Sequence, residues 1–144
     1  MYSQILVPTD GSPASDAAIE HAIDLARRYD ATLHALYVVD GAAYSTLEAG
    51  AEVVVDALES EGDAATRRVA DAAAKEDVDC ETTVTSGTAY RSIRDYVDDH
   101  AIDMIVMGTH GRKGLDRYLL GSVTERVVRT SDVPVLTVRH SADE

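Results

Sequence analysis

The stretch ILVPTDGSPASDAAIEHAIDLARRYD, residues 5–30, passes directly from a strand pattern into a helix pattern. Residues 5–8 form a continuous apolar run, which is typical of a strand buried on both faces of a sheet. Ser12 is a favourable N-cap residue and Pro13 suits the first helical position. The predicted helix has one apolar stripe with helical spacing, made of Ala14, Ala18, Ala22, Ile23 and Ala26. The stretch therefore predicts a strand, a tight turn and a helix packed back on the strand.

The same alternation continues along the rest of the chain. Further apolar strand patterns occupy residues 32–39, 80–87, 103–108 and 134–139, and helical patterns occupy about 50–76, 89–100 and 121–131. Strands separated by helices imply right-handed crossovers and a parallel sheet. The sequence thus predicts an α/β fold with a doubly wound five-stranded parallel sheet and helices on both faces. A single domain covering residues 1–144 fits this length.

Composition narrows the class of protein. Trp and Phe are absent, so the core must be mainly aliphatic, and the single cysteine, Cys80, excludes an intrachain disulfide. The N-terminal residues MYSQILVPTDG carry no charged leader region. No run approaches the roughly 20 apolar residues of a transmembrane helix. We therefore expect a cytoplasmic protein with no membrane contact.

The formal net charge is −13, and the acidic residues are spread along the whole chain. Asp outnumbers Glu by 17 to 9, and Arg outnumbers Lys by 11 to 2. This usage resembles proteins of salt-loving microbes, in which concentrated salt screens the self-repulsion of an acidic surface. We expect a halophilic protein that is unstable in dilute buffer. Nucleic acid is not an expected partner, because phosphate neutralisation requires a broad basic face.

One segment reverses this acidity. Residues 108–129 have a net charge of +3, which leaves −16 for the rest of the chain. Gly108 is expected to turn the chain sharply off its strand, and Gly111 to let backbone approach a ligand. Gly121 and Ser122 open the last helix, whose free N–H groups favour an anion. The segment favours a phosphate-bearing ligand, although turn glycines and solvated arginines would explain the same residues.

The glycine spacing adds a family resemblance. Gly108-x-x-Gly111, nine residues and then Gly121-Ser122 resembles the nucleotide-binding signature of the universal stress protein family. The stretches ILVPTDGSPAS, LHALYVVD and the whole of residues 103–139 are also similar to that family. The resemblance implies an ATP-binding, stress-response regulatory protein with strand order 3-2-1-4-5. The cofactor it implies is ATP, with Mg²⁺ or Mn²⁺ on the phosphates.

The same resemblance implies a binding site at the carboxyl ends of the strands. Its residues would be Pro8, Thr9, Asp10, Val38, Met107, Gly108, Gly111, Gly121, Ser122 and Val123. Asp10 would accept a hydrogen bond from a ribose hydroxyl, and Val38 would meet the adenine edge through its backbone. Met107 and Gly108 would flank the sugar, and the last four residues would hold the phosphates. The resemblance assigns no role to Arg112 or Lys113, which either neutralise the terminal phosphates or only solvate a loop.

Two alternatives of other classes stay open. One is a slow ATPase or nucleotidyl-transfer enzyme; Asp10 could hold a metal, but no Walker A lysine motif is present and His110 has no identifiable orienting carboxylate. The other is a partner-binding module. The last strand, Val133–Arg139, should form a flat apolar sheet edge, and the family resemblance implies a homodimer through antiparallel pairing of two such strands. A phosphorylatable receiver domain fails, because the third strand ends TVTSG without an acid.

Overall fold

The computed structural model describes residues 1–40, 51–109 and 121–139, apart from the side chains of Ala14 and residues 51–55. Its elements, in chain order, are β1 (Gln4–Pro8), α1 (Pro13–Tyr29), β2 (Thr32–Val39), α2 (Ala51–Lys75), β3 (Cys80–Ser86), α3 (Ala89–Asp99), β4 (Met104–Gly108), α4 (Ser122–Thr130) and β5 (Val135–Val138). The ends differ from the expected ones by at most two residues, which is the usual uncertainty of element boundaries; the largest difference is the start of β5 relative to Val133.

The five strands form one sheet in the order β3-β2-β1-β4-β5, with every pair parallel. The α/β class and the strand order are therefore confirmed. β1 lies at the centre between β2 and β4, where the order of the strands reverses. β5 pairs with β4 and forms one edge of the sheet.

Helices cover both faces of the sheet. Consecutive residues of the central strands point to opposite sides and therefore pack against different helices. Ile5 and Val7 of β1 belong to a core cluster with α1 and α2, whereas Leu6 belongs to a second cluster with α3 and α4. All three side chains are fully buried. The continuous apolar run of β1 is thus explained by burial on both faces, and the same holds for Met104–Met107 of β4.

The apolar stripe of α1 is confirmed where its side chains are described. Ala18, Ala22, Ile23 and Ala26 are buried against the sheet, and the side chain of Ala14 lies outside the described residues. Asp30 ends the helix in the left-handed conformation, with φ 55°. None of the helices in the described ranges is both long and apolar enough to cross a membrane.

Candidate functional site

The carboxyl ends of β1 and β4 lie side by side at the centre of the sheet. Ile5 pairs with Met104 and Leu6 with Ile105, so both strands run in parallel towards Pro8 and Gly108. Because α1 and α4 pack on opposite faces of the sheet, a crevice lies between the ends of these two strands, which is where α/β sheets bind ligands. The topology therefore selects the same edge of the sheet as the glycine pattern did.

The turn after β1 holds Asp10 in a fixed orientation. One carboxylate oxygen of Asp10, Oδ1, accepts hydrogen bonds from the Ser12 backbone N–H at 2.9 Å and from the Ser15 hydroxyl at 3.0 Å. Gly11 adopts φ +78°, and its N–H donates to the Thr9 hydroxyl at 3.1 Å. Among the hydrogen bonds of the described residues, none ends on the other carboxylate oxygen of Asp10. That oxygen is available to accept from a ligand hydroxyl.

Ser12 behaves differently from a capping serine. It is the N-cap residue of α1 and Pro13 is the first helical residue, as expected. Its side chain makes no capping hydrogen bond, and its Oγ is buried without a partner among the described residues. The Ser12 backbone N–H instead donates to Asp10, and the Ser15 N–H donates to the Ser12 carbonyl. The Asp-Gly-Ser sequence, a favourable Asx-turn pattern, was the signal for this arrangement.

Val38 lies next to the same crevice, beyond the point at which β1 stops pairing with β2. β1 ends its pairing with β2 at Pro8 and Leu36, and the Thr9 N–H closes the ladder on the Leu36 carbonyl at 2.9 Å. Backbone groups of alternate residues face the same neighbour, so the polar groups of Val38 point past the end of β1. Val38 therefore offers a donor and an acceptor at the edge where its family resemblance places adenine.

Hydrogen bonds join the end of β4 to the start of α4. The Gly121 N–H donates to the Thr109 carbonyl at 2.5 Å, and the Thr124 hydroxyl donates to the Gly108 carbonyl at 2.9 Å. These two bonds fix the first turn of α4 against the end of β4. Sequence reasoning missed Thr124, although its place in the first helical turn after Gly121-Ser122 was a usable signal. Residues 110–120, including His110, Gly111, Arg112 and Lys113, lie outside the described residues.

Gly108 does not turn the chain off its strand, and that expectation was wrong. Gly108 is the last residue of β4 and pairs with Val138, and the Thr109 N–H extends the ladder to the Val138 carbonyl at 3.1 Å. Left-handed φ angles occur among the described glycines at Gly11 and Gly87. Gly121 has φ −59°, which any residue can adopt. Neither Gly108 nor Gly121 is therefore required by backbone conformation.

Three further predicted residues differ in exposure. Ser122 is exposed and Val123 is 36% exposed at the start of α4, where helical N–H groups lack intrahelical partners. Met107 is buried in the core cluster of α3 and α4, so its backbone rather than its side chain faces the end of the sheet. Within the described ranges, no group of three His, Cys, Asp or Glu side chains is arranged to hold a metal ion.

Comparison with known proteins agrees with this geometry. The Universal stress protein family matches residues 1–139. A universal stress protein of Methanocaldococcus jannaschii is 38% identical over 146 residues, covering 100% of this chain and 86% of the relative. The structure of a universal stress protein from Lactobacillus plantarum superposes with a TM-score of 0.88 at 35% identity, covering 96% of this chain and 98% of the other.

A second solved structure bears on the ligand. It is a universal stress protein in complex with cAMP, with a TM-score of 0.72 and 26% identity, covering 97% of this chain and 98% of the other. The match to the family extends over almost the whole sequence, and the strand order and the glycine-bearing edge of the sheet fit it. This chain belongs to the universal stress protein family.

Proposed function

We propose that this chain is an ATP-binding regulatory protein that acts as a single cytoplasmic domain. The observation that carries the proposal is the presence of glycine at 108 and 121, where backbone conformation does not demand it. A residue without a side chain is then best explained by close approach of something to the backbone. Both glycines lie where the ends of β4 and α4 are joined by hydrogen bonds, at the switch point of the sheet.

The ligand is assigned as an adenine nucleotide from the surrounding groups. Asp10 is held so that one oxygen stays available for a ribose hydroxyl, next to Pro8 and Thr9 at the end of β1. The backbone of Val38 would recognise the adenine edge, while Met107 and Gly108 would line the sugar. The relative in complex with cAMP supports this class of ligand.

The phosphates are assigned to the start of α4. Gly121, Ser122 and Val123 would donate backbone N–H groups there, joined by the Ser122 hydroxyl and by Gly111 from the preceding segment. Mg²⁺ or Mn²⁺ would bind with the phosphates. A nucleotide that binds only the folded protein adds stability that grows with the logarithm of its concentration relative to its Kd.

Thermal-shift and calorimetric titrations with ATP, ADP, AMP and GTP in about 2 M KCl test the proposal. We expect adenine nucleotides to bind and GTP to bind at least about tenfold more weakly, a difference of roughly 1.4 kcal/mol. Gly121→Val should abolish binding without unfolding the protein, because its φ is open to valine. Ala74→Val, on the exposed side of α2, is the matched control. Equal ATP affinity in the wild type and Gly121→Val would reject this site.

Catalysis is at most slow in this proposal. Asp10 is the described carboxylate at the crevice, and its Oδ1 is already engaged by Ser12 and Ser15. Steady release of phosphate from ATP should therefore stay below ~1 per second, the low end of ordinary enzyme rates. Faster turnover that is lost in Asp10→Asn would replace the binding protein with the ATPase alternative.

Homodimer formation is proposed through Val133–Arg139. β5 is an edge strand with apolar residues and no strand beyond it in the described sheet. Such an edge invites antiparallel pairing with a second copy. Light scattering in about 2 M KCl should report a dimer, and Thr137→Pro, which removes an N–H from the side of β5 that faces away from β4, should weaken it. A monomer at micromolar concentration would contradict the proposal.

Adaptation to salt is proposed from the charge of −13. At low ionic strength the acidic surface repels itself, whereas near 1 M salt the Debye length falls to about 3 Å. The melting temperature should therefore rise steadily from dilute buffer to about 2 M KCl. The control is the same titration with a matched concentration of sucrose, which stabilises by exclusion without screening charge. A melting temperature independent of KCl would contradict adaptation to salt.

A further inference from the structure

An aromatic ring on the outer surface of α3 and α4 gathers arginines from both helices. The guanidinium carbon of Arg126 lies 4.0 Å from the ring centroid of Tyr90, in stacking position. The Arg91 Nε donates to the Tyr90 hydroxyl at 3.0 Å. Arg94, one turn further along α3, is close enough to act electrostatically on the same phenol. We call Tyr90, Arg91, Arg94, Arg126 and the neighbouring Val123 the Tyr90 patch.

These arginines are not neutralised in the way that other arginines of the chain are. Ion pairs within 4.0 Å join Arg27 and Arg28 to Asp24, and Arg129 to Glu125. No such pair of the described residues includes an arginine of the Tyr90 patch. The patch therefore concentrates positive charge on a protein whose net charge is −13.

Two carboxylates on α3 lie near the arginines of the Tyr90 patch. Asp95 and Asp98 follow Arg91 and Arg94 by four residues on α3, and Asp95 acts on Arg91 only at a distance. The hydrogen bond from Arg91 and the charge of the three arginines lower the pKa of Tyr90. The local field at the phenol is thus positive in spite of these two acids.

The side chains of the Tyr90 patch are ordered before any partner binds. Tyr90 is half-buried against the core cluster of α3 and α4, which fixes its ring. The ring in turn holds the Arg126 side chain against its face and Arg91 at its hydroxyl. Ordering a long arginine on binding costs about 0.5–1.5 kcal/mol, so prior ordering favours association. Arginine and tyrosine are also the residue types enriched where protein interfaces gain most of their affinity.

An apolar side chain borders these charges. Val123 precedes Arg126 by three residues, which places both on one side of α4. It is 36% exposed, and is one of four large apolar side chains exposed to that extent among the described residues. The Tyr90 patch thus combines an aromatic ring, an aliphatic side chain and three cations.

We infer that the Tyr90 patch docks an acidic segment of a partner protein. Its arginines are exposed on the outer surface of two packed helices, which suits a broad protein contact, whereas small ligands are usually enclosed in concave pockets. Positive charge, preordered guanidinium groups and adjacent apolar area are complementary to a segment in which carboxylates alternate with aliphatic residues. Val123 is shared with the proposed nucleotide site, where only its backbone N–H is assigned a role. The inference does not depend on nucleotide binding, because none of the arginines belongs to that site.

Fluorescence anisotropy with a labelled synthetic peptide of alternating glutamate and leucine tests the inference. The measurement uses the lowest KCl concentration at which the melting curve shows folded protein. We expect Arg91→Glu/Arg126→Glu to weaken binding by at least about tenfold, because two attractive contacts become repulsive. The matched control is Arg67→Glu/Lys75→Glu, which makes the same charge change at exposed positions on α2. It should change affinity by less than about twofold.

Several outcomes would overturn the inference. One is absence of binding to the acidic peptide; another is an equal loss in the α2 control, which would show general attraction to charge. Equal binding of a glutamine-for-glutamate peptide would exclude recognition of carboxylates. Inorganic phosphate that displaces the peptide at equal molar charge would make the patch a small-anion site. Light scattering that shows dissociation of a dimer by Arg126→Glu would make the patch a contact between copies of this chain.

Discussion

The two faces of the sheet carry different kinds of side chain, although the same strands form both faces. The face under α1 and α2 is packed with aliphatic residues and alanines, such as Val7, Leu33 and Val69. The face under α3 and α4 contains a buried histidine, His34, which is 2% exposed. Leu33 and His34 are consecutive residues of β2, so one step along a strand separates the two environments.

His34 is stabilised by a chain of hydrogen bonds that leaves little freedom of protonation. Its Nε2 lies 2.6 Å from the Gln4 side-chain carbonyl oxygen, so Nε2 must carry the proton. Its Nδ1 lies 2.7 Å from the Tyr96 hydroxyl and accepts from it. The His100 ring stacks on Tyr96 at 3.7 Å between centroids. The first face therefore depends on filled volume, and the second also depends on satisfied donors and acceptors.

Leu33→Ala should produce the largest loss of stability and should act on the first face alone. Leu33 is fully buried in the aliphatic cluster, and removal of such a side chain costs about 2–5 kcal/mol through lost transfer energy and a cavity. Chemical denaturation at two pH values, about 7.5 and about 5, measures it. The loss should be equal at both, because Cys80, which packs against that cluster beside Leu33, has its pKa raised by burial to about 11, far above this range. A loss of stability that differs between the two pH values would show that the aliphatic face, like the face that contains His34, depends on a group that titrates in this range.

Gly62→Ala should cause the next largest loss of stability, although helix propensity alone would predict a gain. Alanine normally stabilises a helix by about 1 kcal/mol over glycine. A Cβ on Gly62 would lie 2.7 Å from Cδ1 of the Tyr37 ring and 3.1 Å from a methyl group of Val84. Tyr37 is buried, so α2 must shift and we expect a net destabilisation of about 1–3 kcal/mol.

The matched control for Gly62 is Asp63→Ala, since Asp63 is exposed on the same turn of α2. It should change the free energy of unfolding by less than about 0.5 kcal/mol. Thermal denaturation of both variants and the wild type provides the comparison. A Gly62→Ala protein more stable than the wild type would show that α2 does not approach β2 as closely as the structure indicates.

Tyr96→Phe tests the second face with almost no change in volume. It removes the hydroxyl that donates to His34 and leaves a buried acceptor unpaired, which costs about 1–3 kcal/mol. Tyr90→Phe is the control, because the Tyr90 hydroxyl lies at the surface and bonds to Arg91. If both variants lose the same free energy of unfolding, the buried hydrogen bond has no special weight.

Sequence patterns predicted nearly all of the fold, because its helices and strands follow from the local periodicity of apolar residues. The apolar runs at 5–8 and 104–107 indicated burial on both faces of the sheet, and both strands are buried on both faces. The strand order came from the family resemblance, since periodicity does not order strands in space. The His34 environment was missed, because Gln4 and Tyr96 lie 30 and 62 residues away in sequence. A lone histidine in an apolar strand gives no indication of such partners.

The candidate site was predicted less completely than the fold. Asp10 was identified from the family resemblance and Gly121 from the glycine spacing, and the structure places each at the carboxyl edge of the sheet. The reason offered for Gly108, a sharp turn, was wrong because strand pairing with β5 continues through it. Ser15 and Thr124 were missed, since a side-chain hydrogen bond to a neighbouring element depends on tertiary structure. Nucleotide contacts themselves stay a prediction.

The smallest expected effect is a difference in pH dependence between the two faces. Burial lowers the pKa of His34 below 6.5, His100 lowers it further, and Glu81 on β3 opposes them; Gln4, Tyr96 and Thr83 complete its polar surroundings. As pH falls through 6.5, the unfolded chain takes up a proton at this residue before the native protein does. Stability from His34 is therefore complete above pH 6.5 and is lost progressively down to the lowered native pKa.

Replacement of His34 by Leu should remove that part of the pH dependence while lowering stability at every pH. Free energies of unfolding measured from about pH 7.5 to about pH 5 should fall less steeply in His34→Leu than in the wild type. His21→Gln is the control: His21 is exposed on α1, and its ring contacts only the Ala17 carbonyl of its own helix. That variant should keep the wild-type slope. Identical slopes in all three proteins would show that the native and unfolded states bind protons equally at His34, and the two faces would then differ in packing alone.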